Sequence, residues 1–358
     1  MSCLFVMCAA YAYYSTKGYI KPYVSLPLTG IFMYNNLMDT RGFRPKEILF
    51  SLTTNCNLRC VHCNTEHTPG VYDGVLDKRA AVKFLGASSR YGIKRVGFTG
   101  GEPFLALDLM CALTKEAVKQ GMRFNRIMTN GGWFYTGKEL LSALNRLFRA
   151  GYDGGLCLSV DAFHRQDLNK CASFIRAAAA VWRRRDIISI AAVRGAKEGQ
   201  TRGRLAKLAK RLRAHLTVID GRPAIIKNEE IFVKIFYIDL SPVGIAAGLK
   251  DAWDGRWFKD DLCKGPGNVF FVLPDGTVRP CCGYAARTDI LTIGSILRDS
   301  PEELIRNARK NRFISSLFSS GLHPVRRRLE RAGIRFPGKT TNHCFFCHYL
   351  TSCLPDYL

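Results

Sequence analysis

The chain has 358 residues, enough for one large domain and a smaller appendage, and its apolar content of 47% suits a packed core and excludes long disorder. A formal net charge of +24 draws it toward anionic partners such as nucleic acid, anionic lipid, nucleotide-like molecules or acidic peptides. Fourteen cysteines would allow a disulfide framework, but disulfide-dense chains are small and loop-rich, and these cysteines cluster at metal-ligand spacings, which fits a reduced, cytoplasmic protein.

Met1–Tyr14 is apolar and aromatic. It lacks a basic n-region and a small-residue cleavage site, and it is too short to span a bilayer. It reads as a buried or membrane-touching part of an N-terminal extension over 1–45, and no later stretch reaches transmembrane length. From there strand-like and helix-like segments alternate. Glu47–Thr53 reads as a strand, followed by a cysteine loop. Asp77–Arg90 reads as a helix, with Asp77 as N-cap and Gly92 as stop. Strands at Lys94–Thr99, Phe124–Thr129, Gly155–Val160, Ile187–Val193 and Ile231–Asp239 alternate with helices at Asp108–Gln120, Gly137–Ala150, Gln166–Arg185 and Arg202–His215. Such alternation implies parallel strands with right-handed crossovers, either a partial barrel or an open doubly wound sheet. Beyond about residue 250 the alternation stops. Asn268–Leu273 and Gly276–Arg279 flank a Pro274-Asp275 turn, Pro301–Phe318 reads as a helix, and Asn342–Leu358 carries three cysteines. The expected organisation is an α/β core over 46–250 and a metal-stapled appendage over 251–358. Basic residues concentrate in Arg183–Arg213 and Arg298–Lys339, where solvated helix faces explain each run taken singly.

Cys56, Cys60 and Cys63 lie on one loop directly after the first strand, where parallel α/β folds place catalytic loops. Three thiolates can hold three irons of a cubane and leave the fourth open. A structural zinc site, with His62 as fourth ligand, is the alternative, although zinc usually takes paired two-residue spacings. The segment resembles the CxxxCxxC motif of the radical S-adenosylmethionine (SAM) superfamily. The resemblance implies a [4Fe–4S] cluster that binds SAM, reductive cleavage to a 5′-deoxyadenosyl radical, hydrogen abstraction from substrate, and a reductant such as flavodoxin or ferredoxin. It also implies a partial (β/α)6 TIM-like barrel, spanning roughly Glu47 to Gly248.

Further residues are similar to that family. Gly100-Gly101-Glu102 matches the GGE motif, implying a close backbone approach to SAM and an acidic partner for its ammonium. His62 stands where an aromatic residue usually lies near the adenine. Ser159 resembles the contact to the SAM carboxylate, and Asp161 a contact to ribose or substrate. Gly244, in Pro242-Val243-Gly244-Ile245-Ala246, resembles an adenine contact with Ile245 in place of the usual Arg. Thr129-Asn130-Gly131 ends the third strand as in many members. Arg194 could pair with the SAM carboxylate or be a surface residue, and His164 could be an acid–base group or structural.

Cys263, Cys281, Cys344 and Cys347, with Cys353 continuing the pattern, resemble the C-terminal extension of SPASM and twitch enzymes. This implies an auxiliary [4Fe–4S] cluster, with a structural zinc staple as the lesser alternative that the spacing alone allows. Tyr357 stands where a full SPASM domain would have a further cysteine, which favours one cluster. Cys3, Cys8, Cys111, Cys157 and Cys171 read as small buried hydrophobes. The expected substrate is a peptide or protein, delivered by a separate recognition protein because few residues precede the first strand. An anionic small molecule, lipid head group or RNA is the alternative, and a zinc-stapled nucleic-acid-binding protein a more distant one.

Overall fold

The computed structural model describes residues 42–63, 74–195, 197–249, 251–259, 261–263 and 267–358. The readings of Met1–Tyr14, Cys3 and Cys8 lie outside the described residues.

The first half of the chain builds strand and helix in turn: β1 (Glu47–Ser51), α1 (Lys78–Arg90), β2 (Arg95–Thr99), α2 (Leu107–Lys119), β3 (Arg123–Thr129), α3 (Gly137–Arg149), β4 (Gly155–Ser159), α4 (Leu168–Trp182), β5 (Ile188–Arg194) and α5 (Glu198–Arg211). Polar side chains at the helix starts explain why these segments begin where they do. Asp77, Thr136 and Asp167 each accept a hydrogen bond from a first-turn amide of α1, α3 and α4. After α5 come β6 (His215–Ile219), β7 (Arg222–Lys227) and β8 (Phe232–Asp239). β1 to β5 pair in sequence order, all parallel, and β8 pairs parallel with β5. These six strands with their helices form the partial (β/α)6 barrel.

The hairpin β6–β7 lies between the expected helix Arg202–His215 and the expected strand Ile231–Asp239, where no element was expected. Its signal is Asp220-Gly221, a two-residue turn with φ of 49° and 72°. Positive φ at both central positions is what a twisted hairpin turn needs. The hairpin adds two antiparallel strands beyond β8.

At the opposite edge the chain returns as β9 (Gly267–Val272), β10 (Thr277–Cys281) and the short β11 (Gly294–Ser295). β9 pairs parallel with β1, and β10 antiparallel with β9, as the Pro274-Asp275 turn implied. Among the described residues the sheet therefore has eleven strands, in the order β11-β10-β9-β1-β2-β3-β4-β5-β8-β7-β6. Four helices follow: α6 (Pro301–Lys310), α7 (Arg312–Ser319), α8 (Leu322–Arg331) and α9 (His343–Cys353). The expected single helix Pro301–Phe318 is two. Asn311 has extended backbone at the break, and its side chain caps α7 through the Ile314 amide. Among the described residues no helix is long and apolar enough to cross a membrane.

One continuous apolar core runs beneath the sheet and into the C-terminal region. Phe270 of β9 joins the two. It is fully buried, with ring centroids 5.9 Å from Phe43 and 5.5 Å from Phe84 of α1. Phe270→Ala should lower stability by roughly 3–5 kcal/mol. Denaturant unfolding checks this, and a loss below about 1 kcal/mol would mean that the C-terminal region is not packed against β1.

Candidate functional site

Parallel strands of a barrel end on one side, and their terminal residues converge there. The cysteine loop follows β1, Thr99 ends β2, Thr129 ends β3, Ser159 ends β4 and Asp239 ends β8. All border one cavity of about 140 Å³, together with Cys56, Cys60 and Cys63.

The cysteine loop has no regular secondary structure, and its shape comes from its own backbone. Cys63 N–H donates to the Cys60 carbonyl (3.1 Å), and Leu58 N–H points at Cys56 Sγ (3.4 Å). The Asn130 amide nitrogen donates to Asn57 Oδ1 (2.8 Å) and lies 3.8 Å from Cys56 Sγ. Burial, then the neighbouring Cys63 and Cys56 and Asp161, push the Cys60 thiol up to about 12. Burial also raises Cys56. Cys56 and Cys60, raised chiefly by burial and then by neighbouring charge, stand with Cys63 in a set that a bound cation or cationic cluster would relieve. The residues fit an iron–sulfur cubane held from one side.

The GGE segment holds this loop in place. Gly101 N–H donates to Thr53 O (2.7 Å), and Glu102 N–H to Asn55 O (2.8 Å). A Cβ on Gly101 would lie 2.3 Å from Asn55 O, and one on Gly100 2.8 Å from Thr53 O. Both glycines border the cavity, yet their lack of a side chain is demanded by the cysteine loop's backbone.

Glu102, expected to face the SAM ammonium, lies behind the cavity wall. It is fully buried and does not border the cavity. Its carboxylate accepts from Thr129 Oγ1 (2.8 Å), Asn130 N (2.8 Å) and Phe104 N (3.2 Å), which ties the end of β3 to the end of β2. Burial drives it up to about 7 although these three donors favour the charged form.

Asp161 behaves in the opposite way. It is fully buried too, but it accepts from the amides of Phe163, His164 and Val193 and from His164 Nδ1 (2.8 Å). Burial would raise it, but His164, with a smaller contribution from His62, holds it at about 2. His164 also borders the cavity. Burial, then His164, lowers His62 to about 4. The His62 ring lies 4.4 Å from that of His164 and 5.0 Å from that of Phe163. Ligand atoms of His62, Asp161 and His164 lie within 4.8 Å of one another. Asp161 already spends its lone pairs on His164 and three amides, so the geometry is that of a fixed Asp–His pair.

Ser159 borders the cavity. Gly244 does not, and that wall is formed by Asp239 and Ser241 instead. Arg194 pairs with Asp239 (2.9 Å) across the ends of β5 and β8. Sequence reasoning missed Asp239, Ser241 and Gln166. Gln166 donates to the carbonyls of Asn130 and Ser159, stapling β3 to β4 below the cavity. Asp239 could have been found as a polar residue ending a barrel strand.

The second cysteine set assembles from three elements. Cys263 precedes β9, Cys281 ends β10, and Cys344 and Cys347 share one face of α9. Burial first, then the other thiols, raise Cys263 and Cys347 well above the usual range, and burial pushes Cys281 to about 11. Tyr284 N–H donates to Cys344 Sγ (3.3 Å). The four thiols are thus close enough to feel one another's charge. Cys353 is not brought to it: six residues past Cys347, it is exposed at the end of α9. Cys111, Cys157 and Cys171 are buried, as read.

Two family models match the chain, that of the radical SAM superfamily over residues 50–199 and that of the SPASM iron–sulfur cluster-binding domain over 263–327. GTP 3′,8-cyclase of Listeria monocytogenes is 43% identical over 76 residues, covering 21% of this chain and 23% of that one. A probable GTP 3′,8-cyclase of Pyrococcus abyssi is 29% identical over 140 residues, covering 38% and 42%. The match thus spans less than half the length of these curated relatives. Among solved structures, anSMEcpe with bound AdoMet is similar at a TM-score of 0.49 and 16% identity, over 87% of this chain and 98% of that one. Streptococcus suis SuiB bound to the precursor peptide SuiA gives a TM-score of 0.42 and 15% identity, over 59% and 43%.

Glu102 generates a pH signature. Its carboxyl stands at about 7 in the folded chain against 4.5 ordinarily, so the folded state binds the extra proton between those values. The contribution of Glu102 to stability should therefore be full below pH 4.5, fall as pH rises toward 7 by on the order of 3 kcal/mol, and be lost above. Subtracting the unfolding profile of Glu102→Gln isolates this contribution. A flat difference between pH 4.5 and 7 would show that the carboxylate is ionised at no cost.

Proposed function

The chain belongs to the radical SAM superfamily and carries a C-terminal SPASM iron–sulfur domain, and from that premise we propose that it is an enzyme that modifies a peptide or protein. Membership implies a [4Fe–4S] cluster and SAM in the barrel, and auxiliary iron–sulfur chemistry in the SPASM region. The observation that carries the reading is the contrast between the two thiol sets. Three cysteines border a cavity at the strand ends, while four others are coupled to one another elsewhere.

In this reading residues 46–250 perform the SAM chemistry and residues 251–358 hold one auxiliary cluster. Cys56, Cys60 and Cys63 would hold three irons of the first cubane, leaving the fourth for SAM. When bound, that cluster supplies the electron that cleaves SAM and starts hydrogen abstraction, with flavodoxin or ferredoxin as the class of reductant. The chain's own residues shape the pocket. Gly100 and Gly101 form the wall beside the cysteine loop, Ser159 offers a hydroxyl for the SAM carboxylate, and the half-buried His62 ring offers a face for the adenine. Asp161 fixes His164 at the cavity's edge, where ribose or substrate would lie. Cys263, Cys281, Cys344 and Cys347 would hold the auxiliary cluster, poised to receive an electron from the substrate.

A peptide is the substrate class preferred, because enzymes with SPASM-type domains often act on peptides and because the charge of +24 suits an acidic one. The same charge makes an anionic small molecule, lipid head group or RNA the second reading.

Anaerobically reconstituted protein with dithionite and SAM should release 5′-deoxyadenosine. Cys60→Ala should reduce that release at least 100-fold with circular dichroism unchanged. Undiminished release would remove Cys60 from the cluster. Co-expression with short peptides encoded beside its gene, read by mass spectrometry, tests the substrate class, and unmodified peptides alongside active SAM cleavage would overturn it.

Cys347→Ser tests the second set separately. Iron per chain should fall from about eight to about four while 5′-deoxyadenosine release persists. Unchanged iron, or zinc found at this set in the parent protein, would overturn the auxiliary cluster.

A further inference from the structure

The hairpin β6–β7 serves neither thiol set. It extends the sheet past β8, and among the described residues β6 is its last strand on that side. β7 runs antiparallel to β8 and β6 antiparallel to β7, so β6 points the same way as the barrel strands. The Asp220-Gly221 turn consequently lies toward the end of β8 that carries Asp239 and the cavity. Tyr237 of β8 marks this register, its hydroxyl donating to the Pro223 carbonyl (2.9 Å).

A terminal strand offers a row of main-chain donors and acceptors, and proteins usually blunt it with lysine, proline or an inserted residue. β6 has neither lysine nor proline. The irregularity in its pairing falls at Ala224 of β7, between Ile225 and Pro223, and leaves the outer edge of β6 uninterrupted. Val218 and Ile219 are each 54% exposed. The surroundings are cationic: from Arg202 to Lys227 the chain has eight Lys and Arg against one acidic residue, Asp220. Lys207, Lys210, Arg213 and Lys227 of this stretch are exposed, and α5 packs against both strands of the hairpin.

We propose that β6 is a docking edge for an extended acidic peptide, which adds to the sheet as a further strand and leads the segment to be modified toward the cavity. The proposal rests on the peptide reading of the function. A basic helix alone would suit RNA as well, but a free strand edge with exposed β-branched residues matches a polypeptide backbone. A second copy of this chain would bring its own cations to the same edge and be repelled. Strands lie about 4.8 Å apart, so the docked segment would sit about 14 Å from β8. At about 3.3 Å per residue, some five residues would join the docked segment to the residue at the cavity mouth.

The experiment uses the full reconstituted chain and three labelled probes: an alternating Glu-Val octapeptide, its Lys-Val counterpart, and oligouridine. Anisotropy and hydrogen exchange are measured for the parent and for Val218→Asp/Ile219→Asp, two exposed positions whose change leaves the core intact. The Glu-Val peptide should bind, slow exchange across Leu216–Ile219, and lose at least tenfold in affinity in the double variant. The Lys-Val peptide should not bind, and 5′-deoxyadenosine release without peptide should be the same in both proteins. No binding of the Glu-Val peptide, no protection of β6, unchanged affinity in the variant, or protection of β6 by oligouridine instead would each overturn the docking edge. So would a dimer in light scattering that the double variant dissolves. If a peptide is still modified while β6 stays unprotected, the docking edge fails and the functional reading stands. If β6 is protected but no peptide is ever modified, the functional reading fails and the edge stands as a binding site.

Discussion

Three cysteines border one cavity, and the loop that carries them has no helix or strand of its own to hold its shape. What holds it is a pair of main-chain hydrogen bonds, Gly101 N–H to Thr53 O and Glu102 N–H to Asn55 O, made across the ends of two neighbouring strands. They exist because position 101 has no Cβ, which would lie 2.3 Å from Asn55 O. The brace is then fixed to the next strand, since the Glu102 carboxylate accepts from Thr129 and Asn130. Asn130 in turn donates to Asn57 in the cysteine loop. Glycine, glutamate and asparagine thus form one hydrogen-bonded circuit from β1 through β2 to β3 and back to the thiols.

Two buried carboxylates near this circuit show how environment assigns roles. Glu102 has three neutral donors and no charged partner, and burial dominates, raising it to about 7. Asp161 has three amides and His164, and stays at about 2. The first is suited to hold backbone in place. The second keeps its charge and aims an imidazole along the cavity edge, a geometry useful to a polar substrate.

The alternation of strand and helix was legible because the strands are apolar runs closed by helices with capped starts, whereas the barrel itself was implied only by the resemblance of the cysteine motif. The cysteine spacings were legible because ligand chemistry is local. What escaped was set by tertiary contact. Glu102 looks like a ligand in the sequence, and its hydrogen bonds to Thr129 and Asn130 at the end of β3 follow only from the fold. Gly244 lies five residues beyond the end of β8, and Ser241 and Asp239 occupy the wall instead. Cys353 follows a metal-like spacing, yet on α9 it points away from Cys344 and Cys347. The Asp220-Gly221 hairpin carried its own signal but lies between the expected helix Arg202–His215 and the expected strand Ile231–Asp239, where no element was expected.

β1 explains why the two thiol sets occur in one molecule. All five of its residues are buried, which an edge strand could not achieve. On one side it pairs with β2, whose end supplies the brace for the cysteine loop. On the other it pairs with β9, the strand that follows Cys263 and leads through a hairpin to Cys281. Without β9, β1 would be an open apolar edge beside the thiol loop, prone to fray and to aggregate. Without β1, the hairpin carrying Cys263 and Cys281 would be a two-stranded unit too small to stand alone. The C-terminal region is therefore part of the sheet on which the first site hangs, and its thiols are brought together only when that sheet is complete.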